Sequence, residues 1–148
     1  MACSPQQARE IIPAEPVQSV HPVSGLKIVP LTVTSGKQRH AFDVEVAQTL
    51  QDQAKGLMFR TELAPDEGMI FPRNPPDMAS FWMKNTPLPL DIIFVGVDNR
   101  IINIAAETVP YSLDPVASAD IAGAVLEIPG GRAAELGIKP GDLVEWGK

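Results

Sequence analysis

Along the chain, apolar positions recur in short alternating runs separated by turn residues, with little of the spacing of long helices. Residues 26–34 are rich in β-branched side chains and close on Ser35-Gly36, a turn signal; residues 37–47 follow, with Phe42, Val44 and Val46 alternating against Ala41, Asp43, Glu45 and Ala47. A period of two marks a half-buried strand, so the two runs predict an antiparallel hairpin, with Pro30 at an edge or a bulge. Residues 49–58 carry the clearest helix signal. Thr49 with Asp52 three positions on suits a helix start, and Leu50, Ala54, Leu57 and Met58 fall on one face. Gly56 weakens that helix by about 1 kcal/mol relative to Ala.

Beyond it, residues 69–71 predict a short buried strand, 72–77 a proline-rich loop and 79–83 another strand. Residues 90–97 form a near-continuous apolar run, which belongs at the centre of a sheet, and residues 100–106 are its partner. Asp98-Asn99 between them suits a two-residue turn with both central residues at positive φ. Residues 107–122 read as a loop and 124–128 as a strand stopped by Pro129-Gly130-Gly131. Residues 132–136 give one or two helical turns capped by Gly137, and 143–146 the last strand. About eight strands and two short helices at such spacings predict a mainly β domain over residues 25–148, an antiparallel β-sandwich or barrel-like fold.

Composition adjusts this picture in two places. The 148 residues suit one domain, and the fifteen prolines disfavour long helices. Residues 1–24 hold Pro5, Pro13, Pro16 and Pro22 among Gln, Ser, Glu and Ala with no sustained period, which predicts a disordered, Pro-rich tether. Its opening, Ala2-Cys3-Ser4-Pro5, resembles the start of a mature bacterial lipoprotein. That resemblance makes Cys3 a candidate lipidation site, with an apolar signal expected ahead of Ala2 in the full gene, and it implies an extracytoplasmic, periplasmic or lipid-anchored, location. Membrane contact is expected only through that anchor. The net charge of −6 argues against nucleic acid as a partner. One cysteine and two histidines make a transition-metal site improbable, and no cofactor is expected.

The chemistry-bearing residues concentrate between Gly56 and Val97. Arg60, Lys84, Asn85 and Asp91 are interleaved there with Phe59, Phe71, Phe81, Trp82 and Phe94. Asp91 stands between Leu90 and Ile92, so its carboxylate must be paired or hydrogen-bonded, or else its pKa must rise. Lys84, Asn85 and Arg60 are its natural partners. An acid or base beside an anion-holding cation is one reading of that group; a structural ion pair or a bond to the backbone of the 85–89 turn is the favoured one. Trp82 and Met83 point to opposite faces of a strand, so one faces the core and the other is free to line a cleft.

Gly-Leu-Met-Phe-Arg at 56–60, Gly-Met-Ile-Phe at 68–71, Phe-Trp-Met-Lys-Asn-Thr at 81–86, Leu-Asp-Ile-Ile-Phe at 90–94, Leu-Glu-Ile with Gly130-Gly131 at 126–131 and Gly-Ile-Lys-Pro-Gly-Asp at 137–142 occur in this order. Together they resemble the family called Domain of Unknown Function 192, over about residues 40–147. The resemblance implies a compact, mostly β fold, often in secreted or anchored bacterial proteins, and implies no activity. Pro72 to Pro76 departs from the family pattern.

The expectation is an extracytoplasmic domain that binds a small ligand or a partner (a small molecule, a carbohydrate or an envelope protein) through Arg60, Trp82, Lys84, Asn85 and Asp91. Two other readings stay open. One is an envelope-acting hydrolase or lyase with Asp91 as base and Lys84 or Arg60 holding an anion. The other is a structural lipoprotein.

Overall fold

The computed structural model describes residues 20–147. In chain order the elements are β1 (Ile28–Ser35), β2 (Gln38–Val46), α1 (Leu50–Lys55), β3 (Glu67–Asp77), β4 (Ser80–Phe81), β5 (Leu90–Gly96), β6 (Ile101–Ala105), β7 (Val116–Ala117), β8 (Ala122–Pro129), α2 (Arg132–Leu136) and β9 (Leu143–Trp146). Seven strands form one sheet in the order β6-β5-β8-β3-β2-β1-β9, and β4 pairs with β7 in a small second sheet. The large sheet curls until its ends meet. The Ile101 amide donates to the Asp142 carbonyl at 2.9 Å and the Val144 amide to the Asn99 carbonyl at 2.8 Å, so the first residues of β6 and β9 join its two edges. The fold is mainly β and barrel-like, as the strand pattern predicts.

Curling divides the apolar residues between two cores. Inside the barrel, Leu31, Val33, Phe42, Val44, Ile70, Ile93, Val95, Leu126, Ile128 and Val144 pack together, and Ala133 of α2 and Ile138 plug one end. On the outer face of β3, β5 and β8, Met69, Phe71, Ile92, Phe94 and Val125 form a second core, joined by Leu57, Ala79, Met83 and Leu90. All seven residues of β5 are therefore buried, which is why that run carries no polar alternation except Asp91.

Several local expectations give way. The sheet is not wholly antiparallel: β2 and β3 run parallel, Asp43 opposite Glu67 through Val46 opposite Ile70, and the crossover between them carries α1. That helix is shorter than its apolar spacing suggests and buries none of its residues. It ends at Gly56, whose φ of 49° needs a residue without a Cβ and which lies against the Phe71 ring. The expected loop at 72–77 is instead the end of β3, where the register against β8 shifts between Pro72 and Asp77 and bulges out the residues between. The expected strand at 79–83 is reduced to Ser80–Phe81.

The β5–β6 connection is also not a two-residue turn. The Asn99 amide donates to the Gly96 carbonyl at 3.0 Å, and Asn99 (φ 64°) is the one non-glycine residue in that turn at positive φ. This is a three-residue loop with a left-handed last residue. Of the expected tether, residues 1–19 lie outside the described residues. Val20 to Ser24 belong to the folded body: Val20 bridges to Lys27, and Ser24 Oγ donates to Glu45 Oε1 at 2.5 Å.

Candidate functional site

The outer core is incomplete, and the gap exposes one group that the sequence reading passes over. Glu127 lies in β8 opposite Met69 of β3 and Ile92 of β5, so its side chain joins the face of Met69, Ile92 and Val125. Gly68, the neighbour of Met69, allows the close approach of these strands, because a Cβ there would lie 2.4 Å from the Glu127 carbonyl oxygen. Glu127 is 4% exposed, and among the described residues its carboxyl makes no hydrogen bond or ion pair. Burial pushes its pKa from 4.5 up to about 8, so at neutral pH it is a carboxylic acid with a proton to donate.

That carboxyl opens into a cleft of about 300 Å³. One wall is the apolar side of α1, with Leu50 and Ala54, followed by Gly56 and Met58. The opposite wall is aromatic: Phe71 and Phe81 meet edge to face at 5.0 Å, Phe81 meets Phe94 at 6.3 Å, and Trp82 stands half-exposed at the rim. The apolar stripe predicted for the helix thus exists, but it faces an open cleft, and Leu50 is 89% exposed. Arg73, carried into the wall by the β3 bulge, donates through Nη2 to the Met78 carbonyl at 3.0 Å, while its Nε is buried without a partner among the described residues. Next to the cleft, the backbone is left-handed at Phe59 (φ 65°), Asn85 (φ 55°) and Tyr111 (φ 65°), and both aromatic side chains are exposed. For Phe and Tyr such a conformation costs about 1–3 kcal/mol and persists only where surrounding bonds impose it. Those bonds are Phe59 N–H to the Asn85 carbonyl at 2.7 Å and Tyr111 N–H to the Thr86 carbonyl at 3.2 Å.

A larger depression, about 630 Å³, lies beside the β5–β6 loop. Its charged groups are already engaged: Asp98 Oδ1 accepts from the Arg100 amide at 3.1 Å, and Arg100 Nη1 donates to the Gly141 carbonyl at 3.1 Å. The Glu127 cleft is distinguished by its unengaged groups, not by size.

Of the five residues expected to form a site, Trp82 and Lys84 are in contact, whereas Asp91 and Arg60 are each bonded to other groups. Asp91 is fully buried and faces the inner core at the end plugged by α2. Its Oδ1 accepts from the backbone amides of Glu107 at 2.8 Å and Gly131 at 3.0 Å, and its Oδ2 from that of Ala133 at 2.9 Å. The favoured structural reading is right in kind, with different partners: the carboxylate ties the start of α2 and the 107 backbone to β5. Arg60 makes a two-pronged bond to Glu45, at 2.9 and 3.0 Å, and both side chains are buried. His21 Nε2 lies 3.0 Å from Arg60 Nη2. Lys84 stacks its ammonium 5.1 Å from the Trp82 ring centre. The Asn85 amide faces the Met58 sulfur at 4.0 Å. The acid–base pair expected of Asp91 with Lys84 or Arg60 is therefore not formed. Of the pair expected to split between core and cleft, Met83 is buried and its Sδ accepts from Thr108 Oγ1 at 3.1 Å, while Trp82 lines the cleft.

One signal in the sequence could have located Glu127. It is a lone acid in an apolar strand, Ala-Val-Leu-Glu-Ile, the same signal that singles out Asp91. Arg73 carries no comparable signal, because only the bulge gives it a direction.

Comparison with known proteins places this geometry in a family. The family model described as uncharacterized ACR, Domain of Unknown Function 192, matches residues 31–146. A protein of unknown function from Novosphingobium aromaticivorans DSM 12444 is 67% identical in sequence; the alignment covers 86% of this chain and 91% of that one, with a TM-score of 0.85. A Sinorhizobium meliloti 1021 protein described as a candidate transcription regulator is 34% identical over 82% of this chain and 95% of that one, with a TM-score of 0.80. No curated protein matches. The chain belongs to the Domain of Unknown Function 192 family.

Proposed function

We propose that the domain is a small-ligand-binding module, working outside the cytoplasm, whose site is the cleft on the outer face of the sheet. The observation that carries the reading is Glu127, a buried carboxyl with no partner among the described residues at the floor of an aromatic-lined cleft. An ionisable group that opens into a cleft, with its pKa pushed well off the ordinary value by burial, is a candidate ligand contact. A rigid strand positions this one, and a short helix with no buried residue closes one side. Small-molecule pockets are concave sites where apolar walls meet a few convergent polar groups, and here aromatic and aliphatic walls meet Gln53, Arg73, Ser80, Thr86 and Glu127. The extracytoplasmic setting rests on Ala2-Cys3 and the proline-rich residues that follow.

The test is a fragment screen by amide chemical-shift mapping, run on the unaltered protein and on Ala54→Trp. Ala54 is exposed on α1, so the indole fills the cleft without disturbing a core. Binding fragments are expected to shift the amides of Gly56, Phe81, Trp82 and Glu127 and to lose that effect in Ala54→Trp. Fragments that bind only elsewhere, or equally to the blocked variant, would contradict the reading. For the location, Cys3→Ser is expected to release the full-length protein from the membrane fraction, and an unchanged distribution would argue against lipidation.

A further inference from the structure

The cleft's chemistry also selects the class of ligand, an inference that rests on the binding reading above. We propose that the cleft takes a small organic anion, a carboxylate on an aromatic or aliphatic body, whose head is held between the Glu127 carboxyl and the Arg73 guanidinium.

Three observations lead there. The first is charge. The charged side chains that meet the cleft are Lys55 from α1, Arg73 from β3 and Glu127 from β8, and Lys84 adds a cation over the Trp82 ring at the rim. No other acid lines it, so an anion entering meets only positive charge and one neutral acid.

The second is hydrogen-bond supply. Protonated Glu127 offers an O–H, and the Arg73 guanidinium lines the cleft with N–H groups of which Nη2 is engaged, by the Met78 carbonyl. Both are donors, and the complement of convergent donors is an acceptor-rich head. Two carboxyl groups sharing one proton form a strong bond of the charge-assisted kind, provided the protein's own carboxyl is the one that stays protonated.

The third is the body of the site. Phe71, Phe81, Trp82, Met58 and Leu50 present ring faces and aliphatic edges, and of the neutral polar residues beside them Gln53 Nε2 and Thr86 Oγ1 are already engaged by backbone carbonyls. At about 300 Å³ the cleft sits at the small end of ligand pockets, which suits a molecule with one polar head and one apolar portion.

The proposal has a sign in pH. Glu127 ionises near pH 8, and an ionised Glu127 repels an anion and no longer donates. Affinity for an anion therefore falls as pH rises through that value, whereas affinity for a cation would rise.

The experiment uses three probes with one body and different heads: 3-phenylpropionate, 3-phenylpropionamide and 3-phenylpropylamine. Binding is followed by Trp82 fluorescence and by chemical shifts at about pH 6.5 and about pH 9. At the lower pH the carboxylate is expected to bind roughly tenfold more tightly than the amide or the amine, and at the higher pH to lose roughly tenfold. Glu127→Gln, which keeps a donor but cannot ionise, is expected to abolish the pH dependence. Arg73→Gln is expected to weaken the carboxylate at both pH values. The probe and pH series need only the unaltered protein, so they decide the matter even if a variant misfolds. Equal or tighter binding of the amide or amine at about pH 6.5, or carboxylate affinity that does not change with pH, overturns the anion assignment and leaves the binding reading standing. If no probe binds while fragments from the screen above do, the anion assignment alone falls. If neither binds in the cleft, both fall.

Discussion

Two buried carboxylates, thirty-six positions apart in the sequence, carry most of the residue-scale argument, and their surroundings assign them opposite roles. Asp91 is satisfied by three backbone amides and Glu127 by none. Asp91→Asn should destabilise the fold by about 2–4 kcal/mol in urea unfolding, because an NH₂ would face a backbone N–H left without an acceptor. Lys84→Met should change stability by less than about 0.5 kcal/mol, since its ammonium is exposed and bonded to no carboxylate, and the two changes should add. Non-additivity would restore the Asp91–Lys84 pair that the sequence suggests.

For Glu127 the effect depends on pH. Between about pH 4.5 and about pH 8 the folded chain keeps a proton that the unfolded chain releases. This group's contribution to stability is therefore complete below pH 4.5 and is lost as pH rises through 8. Glu127→Gln should leave stability near pH 5 within about 1 kcal/mol and raise it near pH 9 by about 2–4 kcal/mol. A variant as alkali-sensitive as the unaltered protein would show that Glu127 titrates normally. The sequence makes both acids legible as anomalies, each alone in an apolar run. What separates them is whether backbone amides converge on the carboxylate, and that depends on Glu107 and Ala133, at sequence separations of 16 and 42.

At the scale of elements, periodicity finds the strands and misjudges the pieces that surround the cleft. The alternation over residues 38–46 and the apolar run over 90–96 correspond to β2 and β5 because each is fixed by which face is buried. The apolar spacing of Leu50, Ala54, Leu57 and Met58 implies a helix packed on a core. In the protein only Leu57 is buried, and Leu50 and Ala54 line the cleft. Periodicity records that a face is apolar; it does not record whether the rest of the protein covers it. Leu50→Ser should accordingly leave the unfolding midpoint nearly unchanged, within about 0.5 kcal/mol, while weakening cleft binding. Gly56→Ala should cost about 1–3 kcal/mol, because its φ is positive and the new methyl group would sit 3.3 Å from Phe71. Comparing both by thermal unfolding checks that α1 is a cleft wall ended by a glycine and not a core helix. The 72–77 segment was illegible for a different reason. Proline content argues for a loop, whereas a bulge lets the strand continue around it and turns Arg73 into the wall.

Across the whole molecule, strand count and spacing carry the architecture, and closure depends on contacts no local pattern encodes. The mainly β, barrel-like fold is readable from the runs; the parallel β2–β3 pair and the joining of β6 to β9 are not, because both depend on long-range register. The domain boundary also moves. His21 and Ser24 complete the surroundings of the buried Glu45–Arg60 pair, so a chain starting at Gly25 should be less stable than one starting at Val20 by about 1–3 kcal/mol. Equal midpoints for the two truncations would make that contact incidental.

The cleft on the outer face is floored by a carboxylic acid that stays protonated at neutral pH. The most direct measurement is a ¹³C NMR titration of the Glu127 side-chain carboxyl, assigned by its loss in Glu127→Gln. The account predicts a midpoint of about 8. A midpoint near 4.5, the value of an unburied glutamate, would contradict it.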